Sequence, residues 1–117
     1  MKATELRIGN YIDYTTEREI VTMQITYEYI RLIHNGNKNF KPIELTEEWL
    51  LKFGFKAHTY EDEVFGYVLN DFGYINEYQF RIRNFIDFEG TIIPKAIKTV
   101  HELQNLYFAL TGEDLTL

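Results

Sequence analysis

The chain has no cysteine, no serine, two prolines and two methionines among its 117 residues. The missing cysteine excludes disulfides, thiol catalysis and the thiolate ligand sets of most structural zinc sites. The missing serine excludes a serine nucleophile. No apolar run approaches the roughly 18 residues that a membrane span requires. The opening Met1-Lys2-Ala3-Thr4-Glu5 lacks the apolar core of a secretory signal, so the expected location is the cytoplasm. Basic residues are also scarce. Twelve Lys and Arg stand against eighteen Asp and Glu, giving a net charge of −6. That balance opposes generic binding to nucleic-acid backbones and suits docking on a basic protein surface.

What the chain has in abundance is rings: nine Tyr, nine Phe and one Trp. With so few sulfur-bearing side chains, aromatic packing must supply much of the core, and β-strands are where such residues fit. The length points to a single domain over residues 1–117.

The C-terminal stretch 99–112, T-V-H-E-L-Q-N-L-Y-F-A-L-T-G, is the most legible element. Thr99 is a helix cap, Glu102 stands three residues on in the position of a capping box, and Gly112 supplies the stop. Val100, Leu103, Tyr107 and Leu110 form an apolar face with Leu106 beside them. A short helix is predicted over 46–54, with Thr46 as cap, Glu47 and Glu48 in its first turn, and Gly54 as its end. Trp49, Leu50 and Phe53 form its buried face.

Residues 1–45 read as strands. They run from Leu6 to Tyr14 with a bend at Gly9-Asn10, then over Val21–Ile25 and Tyr29–Ile33. Asn35-Gly36 follows as a hairpin turn, and Phe40–Ile43 as an edge strand marked by Pro42. Residues 56–62 read as a polar loop. A second group of strands is expected over 64–93, with turns at Asn70–Gly73 and Glu89-Gly90. The expected fold is α+β: a small curled antiparallel, SH3-like sheet, a short helix, a second antiparallel sheet, and an amphipathic C-terminal helix.

No phosphate-loop, dinucleotide or nucleophile-elbow pattern occurs. His34, His58 and His101 are scattered, and His101 is expected at the surface. The carboxylate pairs Glu17/Glu19, Glu47/Glu48, Glu61/Asp62/Glu63, Asp87/Glu89 and Glu113/Asp114 fall in loops, turns and helix ends, where they are solvated. The expected protein is therefore not an enzyme and uses no metal or cofactor. The pattern that points to binding is Arg81 and Arg83, alternating on one strand with Gln79 in line. Two guanidinium forks about 7 Å apart on one strand face can grip phosphate or carboxylate. Tyr67 and Tyr78 complete this candidate binding set within the contact region expected over 56–90.

Three stretches carry a resemblance: M-K-A-T-E-L-R-I-G-N at 1–10, K-P-I-E-L-T-E-E-W-L-L-K-F-G-F at 41–55, and V-H-E-L-Q-N-L-Y-F-A-L-T-G-E at 100–113. Together they resemble a set of small, mostly uncharacterised proteins encoded by bacteriophages, prophages and mobile elements of gut bacteria. The resemblance assigns no catalytic residues. It implies a non-enzymatic accessory product, an anti-defence inhibitor for example, that binds a host or phage protein or a small anionic, nucleotide-like ligand. A nucleic-acid-associated SH3-like module using Arg7, Arg31, Lys38 and Lys41 is the alternative expectation. A homodimer through exposed aromatic residues or a free edge near Pro42 is also open.

Overall fold

In the computed structural model, which describes residues 1–75, 85–93 and 96–117, the chain folds as α+β, with two antiparallel sheets. Two units can be distinguished. One comprises Met1–Glu44 with Lys98–Thr116, and the other is essentially Leu45–Ile97.

The first unit opens with a single 3-10 turn at Ala3–Glu5, then a bend that leads into β1 (Tyr11–Thr15). Leu6–Asn10 is thus not strand. Gly9 adopts φ +96°, and Ile8 is 66% exposed rather than sharing a face with Ile12. β2 (Ile20–Gln24) and the two-residue β3 (Phe40–Lys41) flank β1 in the order β2-β1-β3. The edge strand expected over Phe40–Ile43 is present only as Phe40–Lys41, ending before Pro42, and the sheet is open, not closed into a barrel.

The largest departure from the sequence expectation is at Tyr27–His34, which forms helix α1 and not a strand. The run Tyr29–Ile33 is short and mostly apolar, and periodicity alone does not separate strand from helix over such a run. Helical spacing brings Tyr29, Ile30 and Ile33 onto one face. That face packs on a core of Leu6, Ile12, Ile25 and Phe40. Glu28 and Arg31 form an i,i+3 ion pair at 2.7 Å on the outside. Asn35-Gly36 accordingly ends a helix instead of turning a hairpin. The Gly36 N–H bonds the Ile33 carbonyl and the Asn37 N–H bonds that of Leu32, with Gly36 at φ +97°. Both motifs require a left-handed residue, so the same dipeptide serves either.

Helix α3 (Val100–Thr111) keeps its expected bounds. Thr99 accepts from the Glu102 N–H at 3.4 Å, and Gly112 closes the helix at φ +76°. The Glu102 carboxylate accepts from the Thr99 hydroxyl at 2.7 Å, not from the Thr99 N–H as a capping box would have it. Its buried face holds Val100, Leu103 and Tyr107, together with the polar His101 and Gln104.

In the second unit, α2 (Glu47–Lys52) is capped by Thr46 and ends with the Phe55 N–H bonded to the Leu50 carbonyl. Its sheet runs β4 (Lys56–Tyr60), β5 (Glu63–Leu69), β6 (Phe72–Ile75), β7 (Phe85–Phe88) and β8 (Thr91–Ile93) in sequence order. The polar stretch 56–62 is therefore a strand and a turn. β4 lies at an edge, where its Lys56, His58 and Thr59 are exposed, and Glu61-Asp62 turn with positive φ. The Glu89-Gly90 turn is present with both φ positive, as a type I′ hairpin needs. Of the Asn70–Gly73 turn, Asn70-Asp71 form the turn and Phe72-Gly73 already belong to β6. Rings dominate this core: Phe55 meets Phe72 at 6.0 Å and Phe72 meets Phe88 at 6.4 Å, both edge-on.

Gly66 marks the tightest approach in this sheet. A Cβ there would lie 2.9 Å from both the Tyr74 carbonyl oxygen and the Ile75 Cδ1. The backbone oxygen cannot retreat without breaking the β5–β6 ladder. Gly66→Ala is expected to destabilise the protein by about 2 kcal/mol, the scale of overpacking a filled site. Urea unfolding of the variant beside wild type measures it.

Candidate functional site

Two neighbouring amides of α3 organise the surface of the first unit. The Gln104 Oε1 accepts from the Tyr11 N–H at 2.8 Å. Its Nε2 donates to the carbonyls of Gly9 at 3.2 Å and Leu115 at 2.9 Å. Asn105 donates to the Glu5 carbonyl at 2.7 Å and accepts from Asn10 Nδ2 at 2.9 Å. The Asn10 Oδ1 in turn accepts from the Arg7 N–H at 2.7 Å, which fixes the bend. Gln104 and Asn10 are 4% and 2% exposed, so these bonds replace water that cannot reach them.

The bend, the end of β2 and the stretch after α3 enclose a cavity of about 300 Å³, at the small end of ligand-site volumes. Its lining includes Arg7, Ile8, Gln24, Gln104, Asp114 and Thr116. Gln104 is spent on backbone bonds, so the groups left to meet a ligand are those of the rim. Foremost is Arg7. Its guanidinium carbon sits 3.7 Å from the centroid of the Phe108 ring, and Nη2 lies 3.4 Å from Asp114 Oδ1. The aromatic face holds the guanidinium plane, while the Asp114 contact is long and its carboxylate 66% exposed. An ion pair of that kind contributes little, which leaves Arg7 available to a competing anion.

The residues singled out from the sequence lie elsewhere. Tyr67 is 4% exposed in the second unit, near the Glu47 carboxylate. Burial first, and that carboxylate second, raise the Tyr67 pKa above 10.0. Its ring thus belongs to a core. Tyr78, Gln79, Arg81 and Arg83 lie outside the described residues. Of the basic set weighed for nucleic acid, Arg7 and Arg31 have the carboxylate partners Asp114 and Glu28.

His101 departs from its expected surface position. It is 2% exposed, and neither ring nitrogen has a hydrogen-bond partner among the described residues. Nε2 stands 3.6 Å from Glu5 Oε2, too far for a hydrogen bond, so the carboxylate acts on it as a charge. Burial lowers the His101 pKa, outweighing the nearby carboxylates of Glu102 and Glu5, and the chain's amino terminus pushes the same way as burial.

The signal for this network was present in the sequence as Gln104, which stands four residues after Val100 and inside the apolar stripe. An amide in such a stripe marks a place where backbone needs partners. No family model, curated protein or solved structure matches this chain.

Gln104→Glu replaces the donor facing two carbonyls with an acceptor. At neutral pH it is expected to destabilise the protein by about 3 kcal/mol, with Gln104→Ala close behind, as several buried groups lose partners. Chemical denaturation measures both. The folded His101 binds fewer protons than the unfolded chain just below pH 6.5, because its folded pKa is the lower of the two. Its contribution is complete above pH 6.5 and declines as pH falls below that value. His101→Gln is expected to flatten the stability profile in that window, read from urea midpoints at stepped pH.

Proposed function

We propose that this chain is a non-enzymatic binding protein of the phage and mobile-element type, acting in the cytoplasm of a host, and that it holds a small anion at Arg7. The observation that carries this reading is the guanidinium held on Phe108 at the rim of a cavity, with a long, exposed contact to Asp114 as its ion pair. A carboxylate or phosphate displaces Asp114 at small cost and gains a two-pronged donor already oriented by the ring. Ile8 and the amide of Gln24 offer the remainder of the ligand one apolar and one polar wall. A nucleotide-like anion fits this chemistry, in line with the small anionic ligand that the resemblance implies. Of the three stretches that carry the resemblance, the closing one, 100–113, is the most specific, and its Gln104 lines the cavity together with residues 7–10 of the opening stretch.

Thermal unfolding in the presence of inorganic phosphate, citrate or AMP tests the reading. At least one should raise the wild-type melting temperature in a saturable way, since a ligand at a hundred times its Kd adds about 2.7 kcal/mol. Arg7→Gln is expected to lose that shift. Asp114→Asn, which removes the competing carboxylate, is expected to bind severalfold more tightly. A wild type indifferent to all three anions, or an Arg7→Gln protein that responds equally, overturns the assignment.

A further inference from the structure

β2 has one bonded neighbour, β1, and its other side is an edge among the described residues. The ladder bonds toward β1 use odd-numbered positions. The Glu19 carbonyl accepts from the Thr16 N–H at 2.9 Å, and Ile25 both accepts from Gly9 and donates to Asn10. Antiparallel alternation therefore turns the N–H and C=O groups of Ile20, Thr22 and Gln24 outward.

Natural edge strands carry protection against pairing: a charge, a proline, a bulge or extreme shortness. The other described edges have it. β3 is two residues long, contains Lys41 and runs into Pro42. β4 begins with Lys56 and breaks register between His58 and Thr59. β8 is three residues long. β2 has none of these. Its sequence Ile-Val-Thr-Met-Gln is uncharged, its register against β1 is unbroken over all five residues, and Ile20 and Val21 are 66% and 39% exposed.

We propose that β2 pairs with β2 of a second copy of this chain, antiparallel, about a two-fold axis at Thr22. The strand is complementary to itself in that register. Thr22 faces Thr22 and Ile20 faces Gln24, so outward-pointing backbone groups meet outward-pointing groups with no slip. Val21 faces Met23 of the other copy. Val21 stands opposite Tyr14 and Met23 opposite Ile12 within each sheet, and Met23, Tyr14 and Ile12 belong to the core of the first unit. The joint thus extends that apolar layer from one copy into the other. No charged side chain lies within the paired strands; the nearest carboxylates are Glu19 beside Ile20 and Asp13, which accepts from the Thr22 hydroxyl at 2.7 Å. The resulting sheet runs β3-β1-β2-β2-β1-β3, an isologous arrangement.

Sedimentation velocity of the full chain across a wide concentration range is the test. The weight-average mass should climb from 14.0 kDa toward twice that value. Thr22→Lys places lysine directly opposite lysine across the axis and should weaken association at least about tenfold, whereas Ile92→Lys on β8 should leave it unchanged. Circular dichroism establishes that each variant is folded. Because the chain lacks cysteine, a pyrene label on Thr22→Cys gives a second readout, excimer emission that grows with concentration. A wild type that stays at the mass of one chain overturns the proposal, including the case where β2 serves a foreign strand. So does a dimer that Thr22→Lys leaves intact or a Thr22 label without excimer. Anion binding at Arg7 is read separately, so either result stands alone.

Discussion

The side-chain amide of Gln104 is the constraint on which the first unit depends. A buried backbone group without a partner costs about as much as a lost hydrogen bond. The bend at Gly9, the start of β1 and the stretch at Leu115 all present such groups to the same place. They lie 93 or more residues before Gln104 and 11 after it, and none of the three bonds is a rung of a ladder. One carboxamide, with an acceptor on one side and donors on the other, meets the need. Asn105 repeats the device one residue later toward Glu5 and Asn10. The helix is therefore both a wall of the core and a set of clips for irregular backbone.

That arrangement explains the character of the cavity. Its deeper polar groups are committed to structure, so chemistry at the site rests on whatever the rim offers. Arg7 is presented there because the Asn10 side chain holds its backbone N–H and Phe108 supports its guanidinium. The rim carries one cation and one carboxylate, with no second basic group in the lining. Such a place sorts what enters it by charge and size.

Elements with strong punctuation were readable from the sequence. Thr99 and Gly112 bound α3, Thr46 and Gly54 bound α2, and Glu89-Gly90 turns the last hairpin, because caps and left-handed residues act locally. Readings failed where one sequence pattern serves two structures. Asn35-Gly36 suits a helix end as well as a hairpin, and the short apolar run Tyr29–Ile33 reads as a strand yet packs as part of a helix. β4 was hidden because an edge strand exposed on both sides needs no apolar alternation. Of the candidate site, almost nothing was legible: Gln104, Asn105 and Arg7 acquire their roles from partners distant in the chain, and pattern reasoning sees only neighbours. Tyr67 was singled out for binding because tyrosine suits a core as well as a contact surface, and it is buried in the second unit.

The first unit is discontinuous in sequence: Met1–Glu44 is completed only by Lys98–Thr116. During synthesis the opening segment must therefore wait while the whole intervening unit is made. At ribosomal rates of roughly 5–20 residues per second, that interval is about 3–10 s. Throughout it the Gly9 bend has no clip, while all three strands of the sheet and the Leu6, Ile12, Ile25 and Phe40 cluster are already made. The last helix, arriving with Gln104 and Asn105, acts as the bolt that fixes the bend.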